Sequence, residues 1–212
     1  MKLYGYFRSS AAFRVRIALN LKGIDYEHAS VHLVRNEQHS EAYRKLNPQQ
    51  LVPTLEDGPL ALTQSLAIVE YLEETHPEPH LLPADPAGRA RVRALALSVA
   101  CDIHPLDNLR VLRRLKKQFG AADAARDDWY RYWIAVGFEA IEATLARDAQ
   151  TGRFCHGDAP TLADVCLVPQ VFNARRYNSP LEAYPTILRT HDACMALEAF
   201  RRAAPQAQPD AE

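Results

Sequence analysis

Short apolar runs alternate with segments of helical period through the first third of the chain. Lys2 to Tyr6 reads as a strand, the stretch that follows to Lys22 as a helix, and Tyr26 to Val31 as a second strand. Together they form a βαβ unit. A helical stretch near Ser40 to Leu46 comes next, and Val52 to Glu56 and Leu60 to Thr63 then flank Asp57-Gly58-Pro59, the pattern of a β-hairpin. Ser65 is the expected cap of a helix that carries Ile68, Tyr71 and Leu72 on one face and ends near Thr75. The predicted order is βαβαββα.

From His76 to Pro86 the pattern breaks, because Pro77, Pro79, Pro83 and Pro86 leave no room for a regular element. A domain boundary belongs here, giving residues 1–80 and 87–212. Ala87 to Lys117 and Asp123 to Arg147 carry helical composition, with Val92, Leu95 and Val99 at helical spacing. Thr161-Leu162-Ala163-Asp164 resembles a capping box ahead of an apolar stretch, although aspartate fits that box less well than glutamate. The second domain is therefore expected to be an all-α helix bundle. Only Pro205 to Glu212 reads as loose.

Composition narrows the ligand. With 48% hydrophobic and 24% charged residues the chain has the makings of a folded protein with a substantial core. A formal net charge of -1 removes the electrostatic argument for nucleic acid or an anionic membrane as the main partner. The start of the chain lacks a signal-peptide core and no apolar run is long enough to span a bilayer, so a cytoplasmic location is expected. Cys101, Cys155, Cys166 and Cys194 form no close pair and read as reduced thiols. Among eight glycines there is no phosphate-binding loop. His28 with His32, and His76 with His80, sit four apart but not on helices, so they read as solvated surface histidines and no metal is expected.

Candidate chemistry concentrates at Arg8-Ser9-Ser10, where a helix opens after a strand. Unpaired N–H groups and the positive end of the helix dipole favour an anion there, and a hydroxyl adds a donor. A thiolate suits this spot, although Ser9 also makes sense as a plain N-cap. Gln64-Ser65 opens another helix in the same way and offers a place for a carboxylate. Arg14 and Arg16 read as structural, either exposed or paired with acids. Arg110, Arg113, Arg114 and Lys117 form a basic stripe at helical spacing, the usual mark of a solvated face.

These elements, taken with Tyr6-Phe7-Arg8-Ser9-Ser10, Leu46-Asn47-Pro48, Val52-Pro53-Thr54-Leu55, Gln64-Ser65-Leu66-Ala67-Ile68, Leu81-Leu82-Pro83 and Leu167-Val168-Pro169-Gln170-Val171, resemble the zeta class of glutathione transferases nearly end to end. The resemblance implies a thioredoxin-like α/β first domain, an all-α second domain, a cis peptide before Pro53 and a homodimer. It implies glutathione as cofactor and the isomerisation of maleylpyruvate or maleylacetoacetate, a small dicarboxylic keto acid, from cis to trans. In that frame Ser9 holds the thiolate. Ser9, Ser10, Gln38, Val52, Pro53, Gln64, Ser65, His104 and Asn108 contact glutathione, and Arg8, Arg110 and Arg176 receive the substrate's carboxylates. Two rival readings stay open: conjugation or dehalogenation of small haloacids, and glutathione binding without turnover. The chain departs from the class pattern at Ala11, where cysteine is usual, at Phe13, where tryptophan is common, and at Asp107, where an amide is more frequent.

Overall fold

The computed structural model describes residues 1–212, which separate into two compact units. The first comprises Met1–Leu81 and Met195–Glu212, the second Leu82–Cys194. The last eighteen residues thus pack with the first unit, whereas the sequence pattern had grouped them with the helices.

The first unit holds a four-stranded sheet of β1 (Lys2–Gly5), β2 (Glu27–Ser30), β3 (Thr54–Asp57) and β4 (Leu60–Thr63) in the order β2-β1-β3-β4. β1 runs parallel to β2 and antiparallel to β3, and β3 pairs antiparallel with β4. Strand alternation sets the faces. Leu3 stands opposite Leu55, and both are wholly buried.

Helix α1 (Ser10–Leu21) buries every residue from Ala12 to Leu19 because it packs against both α3 (Ser65–Thr75) and α10 (Glu198–Ala203). A helix covered on two sides must accommodate its polar residues in the interior. Arg14 and Arg16 are therefore buried rather than exposed, and both donate to uncharged oxygens. Arg14 Nη1 donates to Ser65 Oγ at 3.2 Å. Arg16 Nε donates to Ala203 O at 2.9 Å and its Nη2 to Phe7 O at 3.0 Å. Burial lowers Arg16 to about 10, which still leaves it charged at neutral pH.

The terminal segment is ordered, contrary to its loose appearance. Gln208 Nε2 donates to Arg202 O and Ala204 O, and the Asp210 carboxylate accepts from Phe7 N–H at 3.1 Å and Ser30 Oγ at 3.0 Å. These partners lie nearly the whole chain away in sequence. The same segment takes His28 and His32 out of solvent. His28 Nε2 stands 3.0 Å from Asp210 Oδ1, and His32 is buried with Nε2 3.3 Å from Glu212 Oε1. His76 and His80 are exposed, as expected.

The second unit is helical: α4 (Pro86–Leu97), α5 (His104–Asp107), α6 (Leu109–Phe119), α7 (Asp123–Arg147), α8 (Leu162–Arg176) and α9 (Pro185–Met195). Ala87 to Lys117, read as one helical stretch, is three helices. Ser98–Ile103 widens into a π-helix ahead of Pro105, and the backbone turns extended at Asn108. Pro105 supplies no N–H, so continuing the α-helix through it would leave a carbonyl unpaired, and the widened turn absorbs that mismatch.

α8 is the centre of the unit, with Leu162 to Val171 all buried. Its capping box forms as read, and aspartate proves sufficient. Asp164 Oδ2 accepts from both Thr161 N and Thr161 Oγ1 at 2.8 Å, while Oδ1 accepts from Cys155 N at 2.9 Å. The four cysteines are free thiols, and burial pushes Cys155 and Cys194 well up, away from reactivity. No group of three or more His, Cys, Asp or Glu side chains is placed to hold a metal. No helix is long and apolar enough to cross a membrane.

Candidate active site

In the first unit, the turn from β1 into α1 presents Arg8, Ser9 and Ser10. Ser9 N donates to Tyr6 O at 2.8 Å, closing the turn, and Ser9 Oγ accepts from Ala12 N at 3.2 Å. Ser9 is therefore the N-cap. A capping hydroxyl uses a lone pair and keeps its proton, so Ser9 can cap the helix and still donate to an anion. Arg8 is partly buried with its guanidinium 4.7 Å from the Phe7 ring centroid, and Ser10 is buried at the first helical position.

Tyr6 and Phe7 belong to an apolar cluster that also contains Val31, Tyr43 and Val52. That cluster ties the Ser9 turn to the loop after α2 (Glu41–Leu46). Tyr43 Oη donates to Leu51 O at 2.7 Å, Asn47 Nδ2 donates to the same carbonyl at 2.8 Å, and the Val52–Pro53 peptide is cis. Val52 and Pro53 are thus held next to the sheet's β3 entrance. Gln38 is buried, with its Nε2 3.2 Å from His39 Nε2 and its Oε1 lacking a protein partner. A buried acceptor without a donor favours a ligand N–H.

The start of α3 differs from the expectation in one respect. Gln64, not Ser65, is the N-cap, and it supplies no side-chain cap bond. It sits at φ 67 and ψ 113, a conformation a non-glycine residue adopts only at some cost. Its Nε2 reaches Gln49 Oε1 at 3.0 Å. Ser65, the first helical residue, is buried and receives Arg14 Nη1 on its hydroxyl oxygen. The first-turn N–H groups are thereby left without a side-chain cap while a buried cation lies behind them. That arrangement suits a carboxylate. Arg14 was missed as a functional neighbour, because no local pattern places residue 14 beneath residue 65.

In the second unit, Asn108 caps α6, its Oδ1 accepting from Arg110 N at 3.1 Å. His104 opens α5. Arg110 lies on an exposed face of α6 with Arg114 and Lys117, the solvated stripe its spacing suggested. Arg176 is exposed at the end of α8, its guanidinium 5.1 Å over the Tyr177 ring. Tyr177 stacks on the buried Tyr130, with ring centroids 3.6 Å apart and planes 9° from parallel. Asp107 joins the Tyr130 and Tyr177 neighbourhood electrostatically and is buried with neither oxygen hydrogen-bonded. Burial raises its carboxyl to about 8, so it carries a proton at neutral pH. A protonated carboxyl at this position carries no charge to oppose an anionic ligand. Arg176 lies beside the Tyr130–Tyr177 pair, whereas Arg110 stands on the exposed face of α6.

Two family models match the chain, one over the sheet-bearing region and one over the helical region. The model described as "Glutathione S-transferase, N-terminal domain" matches residues 3–80, and "Glutathione S-transferase, C-terminal domain" matches residues 110–202. The chain belongs to the glutathione S-transferase family. A maleylpyruvate isomerase of Ralstonia sp. is 56% identical to it over 210 residues, covering 99% of both chains. A solved holo structure of maleyl pyruvate isomerase, described as a bacterial zeta-class glutathione S-transferase, superposes with a TM-score of 0.99 at 56% identity and covers 100% of both chains. A maleylacetoacetate isomerase from Methylobacterium extorquens AM1, solved with bound malonate and GSH, superposes at 0.98 with 45% identity and the same full coverage. The zeta-class resemblance read from the motifs is borne out by these relatives.

Proposed function

We propose that the protein is a glutathione-dependent cis–trans isomerase acting on maleylpyruvate or maleylacetoacetate. The observation that carries this reading is full-length identity of 56% to an isomerase of that kind, with Ser9 and the α3 N-terminus offering the two anion sites the chemistry requires. The residues present fit glutathione. The uncapped first turn of α3, backed by Arg14 and Ser65, takes its γ-glutamyl carboxylate, and Gln64 takes a polar neighbour of that group. The Val52 backbone pairs with its cysteinyl part as an added strand would. Gln38 Oε1, buried and lacking a donor, accepts an N–H. His104 and Asn108 complete the expected contact set.

When bound, glutathione supplies a thiol sulfur that adds reversibly to the substrate's conjugated double bond and so frees it to rotate. The Ser9 hydroxyl and the α1 N-terminus hold a proton-free sulfur by hydrogen bonding and by the dipole field. Arg8 and Arg176 grip the substrate's carboxylates and stabilise charge that develops on its carbonyl oxygen. Arg110 is assigned a lesser share, in keeping with its solvated position. Ala11 removes a protein thiol from the motif without touching the sulfur that reacts. The protein is proposed to act in the cytoplasm as a homodimer, which light scattering on the purified chain would check.

The test is an ultraviolet assay of both cis acids with and without glutathione. The reading requires isomerisation of at least one acid, strictly dependent on the tripeptide. Turnover of a haloacid without either isomerisation would replace it with the dehalogenase reading.

A further inference from the structure

The turn that carries Ser9 is held from outside by the end of the chain. Phe7, two residues before Ser9, has both sides of its backbone engaged. Its N–H donates to Asp210 Oδ2 at 3.1 Å, and its C=O accepts from Arg16 Nη2 at 3.0 Å. Arg16 in turn is anchored through Nε to Ala203 O in α10. Asp210 is itself fixed by the Ser30 hydroxyl at 3.0 Å and by His28, whose Nε2 stands 3.0 Å from Oδ1. Both side chains of that last pair are nearly buried, at 12% and 11% exposure, and burial lowers the His28 pKa, so a neutral imidazole faces the carboxylate. Glu212 adds a second tether, with Arg35 Nη2 at 2.5 Å and His32 Nε2 at 3.3 Å. β1 ends at Gly5, so sheet hydrogen bonds no longer hold the backbone at Phe7. Asp210 and Arg16 take over there.

We propose that Asp210 is a positioning residue for the thiolate site: its bond to Phe7 N–H, with Arg16 on Phe7 O, fixes the Tyr6–Ser9 turn and so aims the Ser9 hydroxyl. This rests on the assignment of Ser9 as the thiolate donor. A hydrogen bond to an anion weakens steeply as its angle opens, so a turn free to rock loses part of the stabilisation without losing the tripeptide, whose other proposed contacts lie outside the turn.

The experiment titrates the thiol of glutathione bound to the full-length protein by its thiolate ultraviolet absorbance, for the parent and for Asp210→Ala, Asp210→Glu, Asp210→Asn and Ser9→Ala. Asp210→Ala is expected to raise the pKa of the bound thiol by about 1 and to lower kcat at neutral pH roughly tenfold, with KM for glutathione within about twofold. Asp210→Asn keeps an acceptor oxygen for Phe7 N–H and is expected to restore parental values. A tail that served stability alone would lower Tm in Asp210→Ala and leave the thiol where it was. That result, with Ser9→Ala still raising the thiol pKa, overturns the positioning role and leaves the Ser9 reading intact. An unmoved thiol in Ser9→Ala overturns both. If Asp210→Ala does not fold, Asp210→Glu decides, because it retains the charge beside His28 while displacing the acceptor. A raised thiol pKa there supports the proposal, and an unchanged one overturns it.

Discussion

The two units carry their candidate chemistry in different ways. In the first, most candidate positions are set by backbone, at the capped start of α1, the uncapped start of α3 and the cis Val52–Pro53 peptide, to which the Ser9 hydroxyl, Gln38 and Arg8 add side-chain groups. Each is locked by side chains that do no chemistry, such as Tyr43, Asn47, Arg14 and Arg16. In the second unit the candidates are side chains on helix ends and faces. Arg110 and Arg176 are exposed and Asp107 is buried without a partner. The difference teaches that recognition of an invariant tripeptide suits a rigid backbone cradle, whereas a substrate that varies suits exchangeable side chains on a helical frame.

The largest effect should come from replacing the cations assigned to the substrate. Arg8→Ala with Arg176→Ala is expected to lower kcat/KM for the cis acid by roughly 10³-fold or more, since each charge-assisted contact contributes about 1.5–3 kcal/mol. Glutathione affinity, measured by calorimetry, should hold within about twofold. Equal residual turnover would break the division between a cradle for the cofactor and cations for the substrate. Ser9→Ala is expected to cost roughly 10²-fold in kcat at neutral pH, the scale on which removal of one preorganised donor acts.

Much of both units was legible where the signals are local. Ser9, Ser40 and Thr161 announce helix starts, and each caps its helix in the structure. Pro77 to Pro86 marks the break between the two kinds of pattern. What escaped depends on partners far away in sequence. The tail looked loose because Pro205 to Glu212 holds few apolar residues, yet Asp210 and Gln208 order it through Phe7, Ser30 and two carbonyls. Arg14 and Arg16 read as structural, but whether they were exposed or interior stayed open, because helical period alone does not reveal that α1 is covered by both α3 and α10. Gln64 lost the cap to Ser65 on residue statistics, since nothing in the type glutamine announces a positive φ. Pro105 was the available signal for the break inside residues 87–117.

Asp107 sharpens the comparison at the level of stability. Its carboxyl, raised to about 8 by burial, keeps a proton in the folded state that the unfolded chain releases near the ordinary carboxylate value. The folded state therefore binds more protons between those limits, and its stability falls as pH rises through that window. Tyr130 and Tyr177 are the titratable groups that feel its charge. Asp107→Asn is expected to flatten this dependence and to raise stability at alkaline pH by up to about 5 kcal/mol, read from urea unfolding at several pH values. A parallel pair of curves would show that Asp107 is ionised and partnered in solution.

Packing supplies a further check on the second unit. A Cβ at Gly137 would stand 2.2 Å from Ile103 Cδ1, where α7 crosses the π-helical turn. Gly137→Ala is expected to destabilise by about 1–2 kcal/mol despite the better helix propensity of alanine. The smallest effect belongs to Arg110. Its exposed place in a basic stripe predicts that Arg110→Ala changes kcat/KM by less than about fivefold. A loss as large as that of Arg176→Ala would move Arg110 into the substrate site.

The account depends above all on an ionised sulfur at the start of α1, and titrating the thiol of glutathione in complex with the parent protein tests it most directly. The bound thiol should ionise at least about one pH unit below free glutathione, and Ser9→Ala should return it most of the way. A bound thiol that titrates as it does in free solution, with or without the Ser9 hydroxyl, would contradict it.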